Sequence, residues 1–397
     1  MFLRAVGVVA GCLCMALAVV GCDDAAPRQS ASVSPEKPVP PKWEVAYSSK
    51  SVDSSFFSVA VTANEVWALG VQDPSGARPG RELLMRLRDG KWEPVALPPA
   101  YAGATDLSNV QFAAAPDSND VWLYAAVKSK PYAWRWDGSR WLAAPGAISP
   151  LAVLVLAPDD IWAVDSFGAV VRHWNGRRWN DAGLKNFQAT TFSAVAPDDI
   201  WAVGATVTAS VLQPAARHFD GRTWRTVPVR PYHFKTKSLE SESTSLTKVV
   251  AVGPDDVWAL GSHTGSAGIA EDNPPEEKIV LHWTGDRWEE APKSLHSWTL
   301  GVDGEGGVIL PDISTQRTAG GQLRRIGPPQ LLPGPTGKLT PADRAQKPSV
   351  SALSPDPRTK TIWAVGYVGI SAYDATSPSK GPFYQRAVIL RFNPGKL

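Results

Sequence analysis

The side chains most able to do chemistry are few and widely spaced. The chain has 397 residues, with only six histidines and three cysteines. His173, His218 and His282 occupy one position of a repeated segment, so they fall in equivalent places of different repeats, which predicts a structural role. The other three histidines lack the spacing of a zinc site. The sequence therefore predicts no metal site.

Paired aspartates recur at 159–160, 198–199 and 255–256, each pair directly after a proline. They lack the spaced carboxylates of a calcium loop, so we predict that they cap turns. The chain also contains no GxSxG, phosphate loop, CxxC or HExxH motif. No catalytic residue and no cofactor are predicted.

Aromatic and charged side chains gather instead in long insertions between repeats. We predict a binding site formed by two groups of these residues, the first from segments 227–247 and 262–278 and the second from segment 367–386. They are Tyr232, His233, Phe234, His263, Glu271 and Asp272, and then Tyr367, Tyr373, Phe383 and Tyr384. Exposed aromatic rings beside charges suit a glycan or protein ligand. The alternative is that these side chains only pack their own loops.

The elements that would position these insertions are repeats of one short unit. Its first half is an apolar run, a turn and a strand with Trp, as in FSAVAPDDIWAVG at 192–204. Its second half is an aromatic residue, a tight turn such as Asp220-Gly221, and another Trp. Asp-Gly and Asn-Gly turns between apolar runs are strong hairpin signals. Each unit is therefore predicted to form four short antiparallel strands.

Copies of this unit recur about every 40 to 57 residues, which is typical of propellers and other repeat architectures. Six copies are well formed, and one decayed copy has Ile309 where the others have Trp. The C-terminal segment matches a third strand but has no fourth, whereas the segment that begins at Lys42 and Trp43 resembles a fourth strand alone. We predict an all-β, seven-bladed propeller whose last blade is closed by the N-terminal strand. Six or eight blades are the alternatives.

Antiparallel order assigns the connections to two faces. Turns between the first and second strands and between the third and fourth strands are short and share one face. The remaining connections carry all the long insertions and share the other, which we call the long-loop face. Binding residues are usually found on variable loops of a rigid scaffold, so we predict that the ligand binds there.

The first 22 residues resemble the export signal of a bacterial lipoprotein. Arg4 precedes an apolar stretch, and Val19-Val20-Gly21-Cys22 resembles a lipobox. The resemblance implies cleavage before Cys22 and a lipid on its sulfur; ordinary secretion is the alternative. The predicted domains are a signal peptide at 1–21, a disordered lipid-anchored linker at 22–42 and a propeller at 43–397.

Export and anchoring define the expected location and partners. We expect a protein held on the outer face of the bacterial cytoplasmic membrane or elsewhere in the cell envelope, with an unknown protein or glycan ligand. The formal net charge of +2 does not favour a nucleic-acid partner.

The repeat resembles those of kelch-like and galactose-oxidase-like propellers, and closely the WAVG-type repeats of exported bacterial proteins. The resemblance rests on apolar strands that end in Gly, such as IWAVG at Gly204, and on pairs such as Phe219 and Trp224. It implies the fold and a binding or scaffold role. The copper-radical chemistry of galactose oxidase needs a cysteine that the predicted propeller lacks. The alternative function is a carbohydrate-active lyase or hydrolase with an axial active site.

Overall fold

A computed structural model describes residues 39–395, apart from 52, 73–80, 103, 105, 116–117, 166–169, 235–240, 267–275, 298, 311, 335–336, 340, 342, 357, 360 and 372–382. The side chains of residues 266, 371, 383 and 384 also lie outside the description. The described residues form an all-β unit. No helix among them is long and apolar enough to cross a membrane.

The strands in chain order are β1 (Lys42–Ser48), β2 (Ser54–Val61), β3 (Val66–Gln72), β4 (Arg81–Arg88), β5 (Lys91–Pro94), β6 (Leu107–Ala114), β7 (Val121–Val127), β8 (Lys130–Trp136), β9 (Trp141–Ala143), β10 (Pro150–Ala157), β11 (Asp160–Asp165), β12 (Val171–Trp174), β13 (Trp179–Asp181), β14 (Gln188–Ala196), β15 (Asp199–Thr208), β16 (Val211–Phe219), β17 (Trp224–Val227), β18 (Ser241–Gly253), β19 (Asp256–Ser266), β20 (Glu276–Trp283), β21 (Trp288–Glu290), β22 (Gly301–Val302), β23 (Val308–Leu310), β24 (Thr315–Arg317), β25 (Leu323–Arg325), β26 (Pro348–Asp356), β27 (Thr361–Ser371) and β28 (Phe383–Asn393). One short helix, α1 (Pro99–Ala102), and two 3-10 turns (Lys293–Leu295 and Asp343–Ala345) complete the described elements.

These strands pair into six sheets. Sheets 1, 2, 3 and 5 are β2–β5, β6–β9, β10–β13 and β22–β25, and sheet 6 joins β26–β28 to β1. Sheet 4 contains all eight strands from β14 to β21. The prediction of seven separate four-stranded sheets is therefore wrong, because five are separate. The cause is one parallel pairing, between Leu212 on β16 and Ser243 on β18, which joins two antiparallel runs of four strands.

The first strand of each four-stranded run lies on the inside of a ring. The strands β2, β6, β10, β14, β18, β22 and β26 contact one another in that order, and β26 contacts β2 again. Antiparallel four-stranded blades arranged in this way define a β-propeller.

The N-terminal strand completes the sheet of the C-terminal strand, as predicted. Strand β1 pairs antiparallel with β28, with Trp43 opposite Phe392. The Trp43 side chain is only 2% exposed, and its Nε1 donates a hydrogen bond to the carbonyl oxygen of Ile313 at 2.8 Å. Closing the ring in this way removes a free sheet edge, which would otherwise invite aggregation.

The repeated tryptophans form the core between neighbouring runs of strands. In four repeats, the Trp of the second strand packs edge-on against an aromatic residue of the next run. Trp67 meets Trp136 with ring centroids 5.4 Å apart, and Trp363 meets Trp92 at 5.6 Å. Edge-to-face pairs of this kind stabilise a core beyond their buried area.

The glycine that ends each IWAVG-like strand is required by close backbone approach. A Cβ atom on Gly204 would lie 1.9 Å from the carbonyl oxygen of Gln188, beside the point where β14 bulges. Gly366 has the same relation to Ser349. The glycine of the IWAVG-like sequence is thus explained by the bulge of the neighbouring inner strand, whose backbone leaves no room for a Cβ atom.

Candidate functional site

The three repeated histidines each bind an aspartate and stack on a tryptophan. His173 Nε2 lies 2.8 Å from Asp160 Oδ1, and its ring stacks on Trp162 with centroids 4.2 Å apart. Equivalent contacts join His218 to Asp199 and His282 to Asp256. The predicted structural role of these histidines is confirmed. The turn-capping prediction is wrong for the second aspartate of each pair, because its carboxylate bonds the histidine.

This arrangement is a feature that sequence reasoning missed. Two other repeats have Arg in place of His and keep an acid two residues before the Trp; Arg86 Nη1, for example, lies 3.5 Å from Glu65. Burial tends to raise the pKa of Asp256, but hydrogen bonds from His282 and Trp258 hold it below its ordinary value. The signal in the sequence was the Asp-x-Trp spacing that the three repeats with histidine share. Its meaning depends on the strand register that sets Trp162 opposite His173.

On the long-loop face, one predicted loop is a strand extension. Residues 205–215 continue β15 and β16 as a ladder that ends in a two-residue turn. Ala209 and Ser210 in this turn have φ angles of 49° and 68°, which the favoured hairpin turn requires. Val207 beside the turn is 59% exposed. This hairpin, the segment 230–234 and the neighbouring ends of β18 and β19 (241–246 and 261–265) are together called the platform.

The segment 230–234 is fixed to the hairpin by two hydrogen bonds between the Gln213 side chain and the Tyr232 backbone. Tyr232 N donates to Gln213 Oε1 at 2.8 Å, and Gln213 Nε2 donates to the Tyr232 carbonyl oxygen at 3.1 Å. Tyr232 is buried, and the Arg230 guanidinium lies 4.7 Å from its ring centroid. The Tyr232 ring is thus buried and anchors the platform.

Glu242 on β18 holds the same segment from the other side. Its Oε2 accepts a hydrogen bond from Phe234 N at 3.0 Å and lies 3.3 Å from His263 Nε2, and its Oε1 contacts His233 Nδ1. Burial tends to raise the pKa of Glu242, but the bonds from His233 and Phe234 lower it below its ordinary value. Glu242 was absent from the predicted site.

His263 lies at the centre of the platform. It is 1% exposed and stacks on Phe234 with ring centroids 3.7 Å apart. Its Nδ1 lies 3.8 Å from a carboxylate oxygen of Glu277 and makes no hydrogen bond to a described residue. The buried hydroxyl of Tyr232, on a ring 5.9 Å from that of His263, is likewise without a described partner. Two buried polar atoms in one cluster thus have unused bonding capacity.

The structure therefore brings four predicted residues together: Tyr232, His233, Phe234 and His263. Glu271, Asp272 and Tyr373 lie outside the described residues. Phe383 and Tyr384 begin β28, but their side chains are not described, and the half-buried Tyr367 belongs to β27 of sheet 6. Among the described residues, no group of three or more His, Cys, Asp or Glu could hold a metal ion.

Two clefts lie on the opposite, short-turn face, and sequence reasoning did not foresee them. One of about 750 Å³ separates sheets 6 and 1, and one of about 540 Å³ separates sheets 2 and 3. The charges of the larger cleft bond one another: Arg358 lies 2.8 Å from Asp356, and Arg391 lies 3.0 Å from Glu44. Because these charges are already satisfied, the platform is the better candidate site.

No family model and no curated protein matches the chain. Among solved structures, it is similar to YCF48 bound to D1 peptide, with a TM-score of 0.48, 14% identity, and coverage of 91% of this chain and 99% of that one. It is also similar to the β-propeller domain of the Trilobed protease from Pyrococcus furiosus, with a TM-score of 0.43, 7% identity, and coverage of 81% and 94%. A third similar structure is the fucose-specific lectin from Aleuria aurantia, with a TM-score of 0.33, 12% identity, and coverage of 60% and 77%. At these scores we draw no functional argument from the likenesses.

Proposed function

We propose that the protein is an exported, lipid-anchored binding or scaffold module of the cell envelope, and that a protein or glycan ligand binds its platform. The proposed propeller has seven blades, because sheet 4 consists of two four-stranded runs joined through the single pairing of Leu212 with Ser243.

The observation that carries this proposal concerns two of the three buried platform atoms without a described partner, His263 Nδ1 and the Tyr232 hydroxyl; the third is Thr244 Oγ1. A buried polar group without a hydrogen bond costs about 1–3 kcal/mol, so such groups are rarely left without a partner. A ligand, or water that a ligand displaces, would satisfy both. The bonds of Gln213 and Glu242 hold this site in one shape before binding, which lowers the entropy cost of association.

The anchor is supported by the lipobox-like residues that end at Cys22, and it has its own test. In cells given a clickable fatty acid, the natural chain should become labelled and the variant Cys22→Ala should not. Equal labelling of both would refute the site.

The enzyme alternative gains no support from the platform. A general acid needs a raised pKa, whereas hydrogen bonds lower the pKa of Glu242 and occupy both of its oxygens.

The binding proposal is tested by capture from cell-envelope extracts and a glycan array, followed by titration of the component obtained. Tyr232→Phe removes only the unpartnered hydroxyl, so it should weaken binding roughly 3- to 30-fold, as expected for one hydrogen bond. The matched control Tyr124→Phe alters a buried tyrosine of β7 in sheet 2 and should leave affinity unchanged. Equal affinity of both variants would contradict the proposal.

A further inference from the structure

The N-terminal chain meets the propeller at the outer edge of sheet 5. Gly327 N donates to the Pro41 carbonyl oxygen at 2.8 Å, and Trp43 N donates to the Gly327 carbonyl oxygen at 3.0 Å. Lys42 stands opposite Asn393 at the short-turn end of sheet 6. Covalent connection therefore requires that the residues before Val39 leave from this place.

An exposed apolar and basic segment lies two residues from that junction. Leu323 on β25 is 56% exposed, and Val39 is also exposed. Arg324 and Arg325 follow Leu323, and neither guanidinium lies within 4 Å of a carboxylate among the described residues. Val39, Leu323, Arg324 and Arg325 are together called the N-terminal patch.

The turn that leads into β25 contains no Asp or Glu. Residues 318–322 read TAGGQ, whereas the corresponding turns of sheets 1, 2 and 4 contain Asp89, Asp137, Asp220 and Asp286. Within sheet 5, Asp303 and Glu305 lie in the turn between its first two strands, at the inner end of the blade. The outer edge of sheet 5 thus carries uncompensated positive charge.

A second arginine pair shows the contrast; both of its residues are exposed, whereas Arg324 is half-buried and Arg325 is exposed. Arg177 and Arg178 lie in the short turn of sheet 3, where a Cβ on Gly176 would come within 2.8 Å of the Asp159 side chain. That acidic side chain comes from the neighbouring turn between β10 and β11, and its negative charge reduces the local potential. The N-terminal patch combines positive charge and exposed apolar side chains with the start of the described chain.

We propose that the N-terminal patch contacts an anionic lipid surface and so directs the platform away from the membrane. This inference rests on the proposed lipid anchor. Tethering through the linker proposed at 22–42 would give the patch an effective concentration in the millimolar range, so that even a weak contact would be populated. Arginine attracts anionic headgroups, and an exposed leucine suits the boundary between headgroups and acyl chains.

The test uses the chain from Cys22 onward, which contains a single cysteine. Its thiol is coupled to a maleimide lipid in vesicles rich in phosphatidylglycerol that also contain a photoreactive headgroup. Cross-linked peptides are then located by mass spectrometry. Because the coupling imposes the anchor chemically, a negative result would not bear on native lipidation, which fatty-acid labelling tests.

We expect cross-links to concentrate in peptides around residues 39–45 and 318–327 rather than on the long-loop face. The triple variant Leu323→Ser, Arg324→Ser, Arg325→Ser should lower the ratio of patch cross-links to long-loop-face cross-links on the order of tenfold. This factor is the attraction that two arginines contribute at an anionic surface. The matched control Leu142→Ser, Arg177→Ser, Arg178→Ser removes the same residue types from the short-turn side of sheets 2 and 3 and should keep the preference.

Three results would overturn the inference. The first is an even spread of cross-links in the natural chain, and the second is an equal loss in the control variant. The third is an unchanged preference in vesicles of uncharged lipid, which would show that the linker alone sets the orientation.

Discussion

Removal of the Trp43 side chain tests the closure of the ring. This residue comes from the N-terminal strand, is 2% exposed, and packs on Phe392 with ring centroids 5.4 Å apart. Trp→Ala in a core typically costs about 3–5 kcal/mol, and the lost indole bond also leaves the Ile313 carbonyl oxygen unsatisfied. We expect Trp43→Ala to lower the free energy of unfolding by roughly 4–6 kcal/mol. Such a loss is comparable to the whole stability of many domains.

Urea unfolding followed by tryptophan fluorescence and circular dichroism measures this loss. Trp92 is the matched control, because it occupies the same repeat position in sheet 1 but is only half-buried. Trp92→Ala should cost about half as much, in keeping with the smaller area removed from water. Trp43→Phe keeps an aromatic ring and loses the bond to Ile313, so it should cost about 1–3 kcal/mol. The closure reasoning is refuted if Trp43→Ala costs no more than Trp92→Ala.

Three further predictions concern the backbone, acid stability and the platform. Gly204→Ala places a Cβ 1.9 Å from a backbone oxygen, whereas the Cβ of the control Gly253→Ala meets no atom within 4 Å. Calorimetry should therefore show a lower Tm for Gly204→Ala only. Equal Tm values for the two variants would contradict the close approach. Hydrogen bonds from Asn393 and then Arg391 lower the pKa of Glu44 to about 2, so its stabilising effect is present above about pH 4.5 and is lost as the pH falls toward 2. The Tm of the natural chain should therefore fall more steeply over this range than that of Glu44→Gln, and parallel curves would refute the shift. Glu242→Gln should raise hydrogen exchange in segment 230–234 and leave β2–β5 unchanged, and unaltered exchange would show that the carboxylate does not hold the segment.

The repeat predicted most of the fold because its signals are local. Asp-Gly turns, alternating apolar strands and Trp at fixed spacing each specify a hairpin and its buried face, and the unpaired strand at Trp43 predicted the closure. The joining of two runs into sheet 4 was not predictable, since it depends on one pairing between Leu212 and Ser243. The hairpin at 205–215 was hidden for a related reason: Ala209 and Ser210 adopt positive φ angles that their residue types do not signal.

The candidate site was only partly predictable. Aromatic residues in segment 227–247 marked the region where the platform lies, but Tyr232 is buried, and the residue that organises the platform is Glu242. Its bonds to His233 and His263 follow from strand register and from the path of segment 230–234. Neither can be read from residue types.

Photo-cross-linking in living cells tests most directly whether the platform is the binding surface. A benzoylphenylalanine residue replaces His233, which is exposed on the platform, or Arg222, which is exposed in a short turn of sheet 4 on the opposite face. Binding at the platform predicts a discrete protein or glycan adduct after irradiation of the His233 variant and none with the Arg222 variant. An adduct formed only through position 222 would contradict the proposed function and assign ligand binding to the short-turn face.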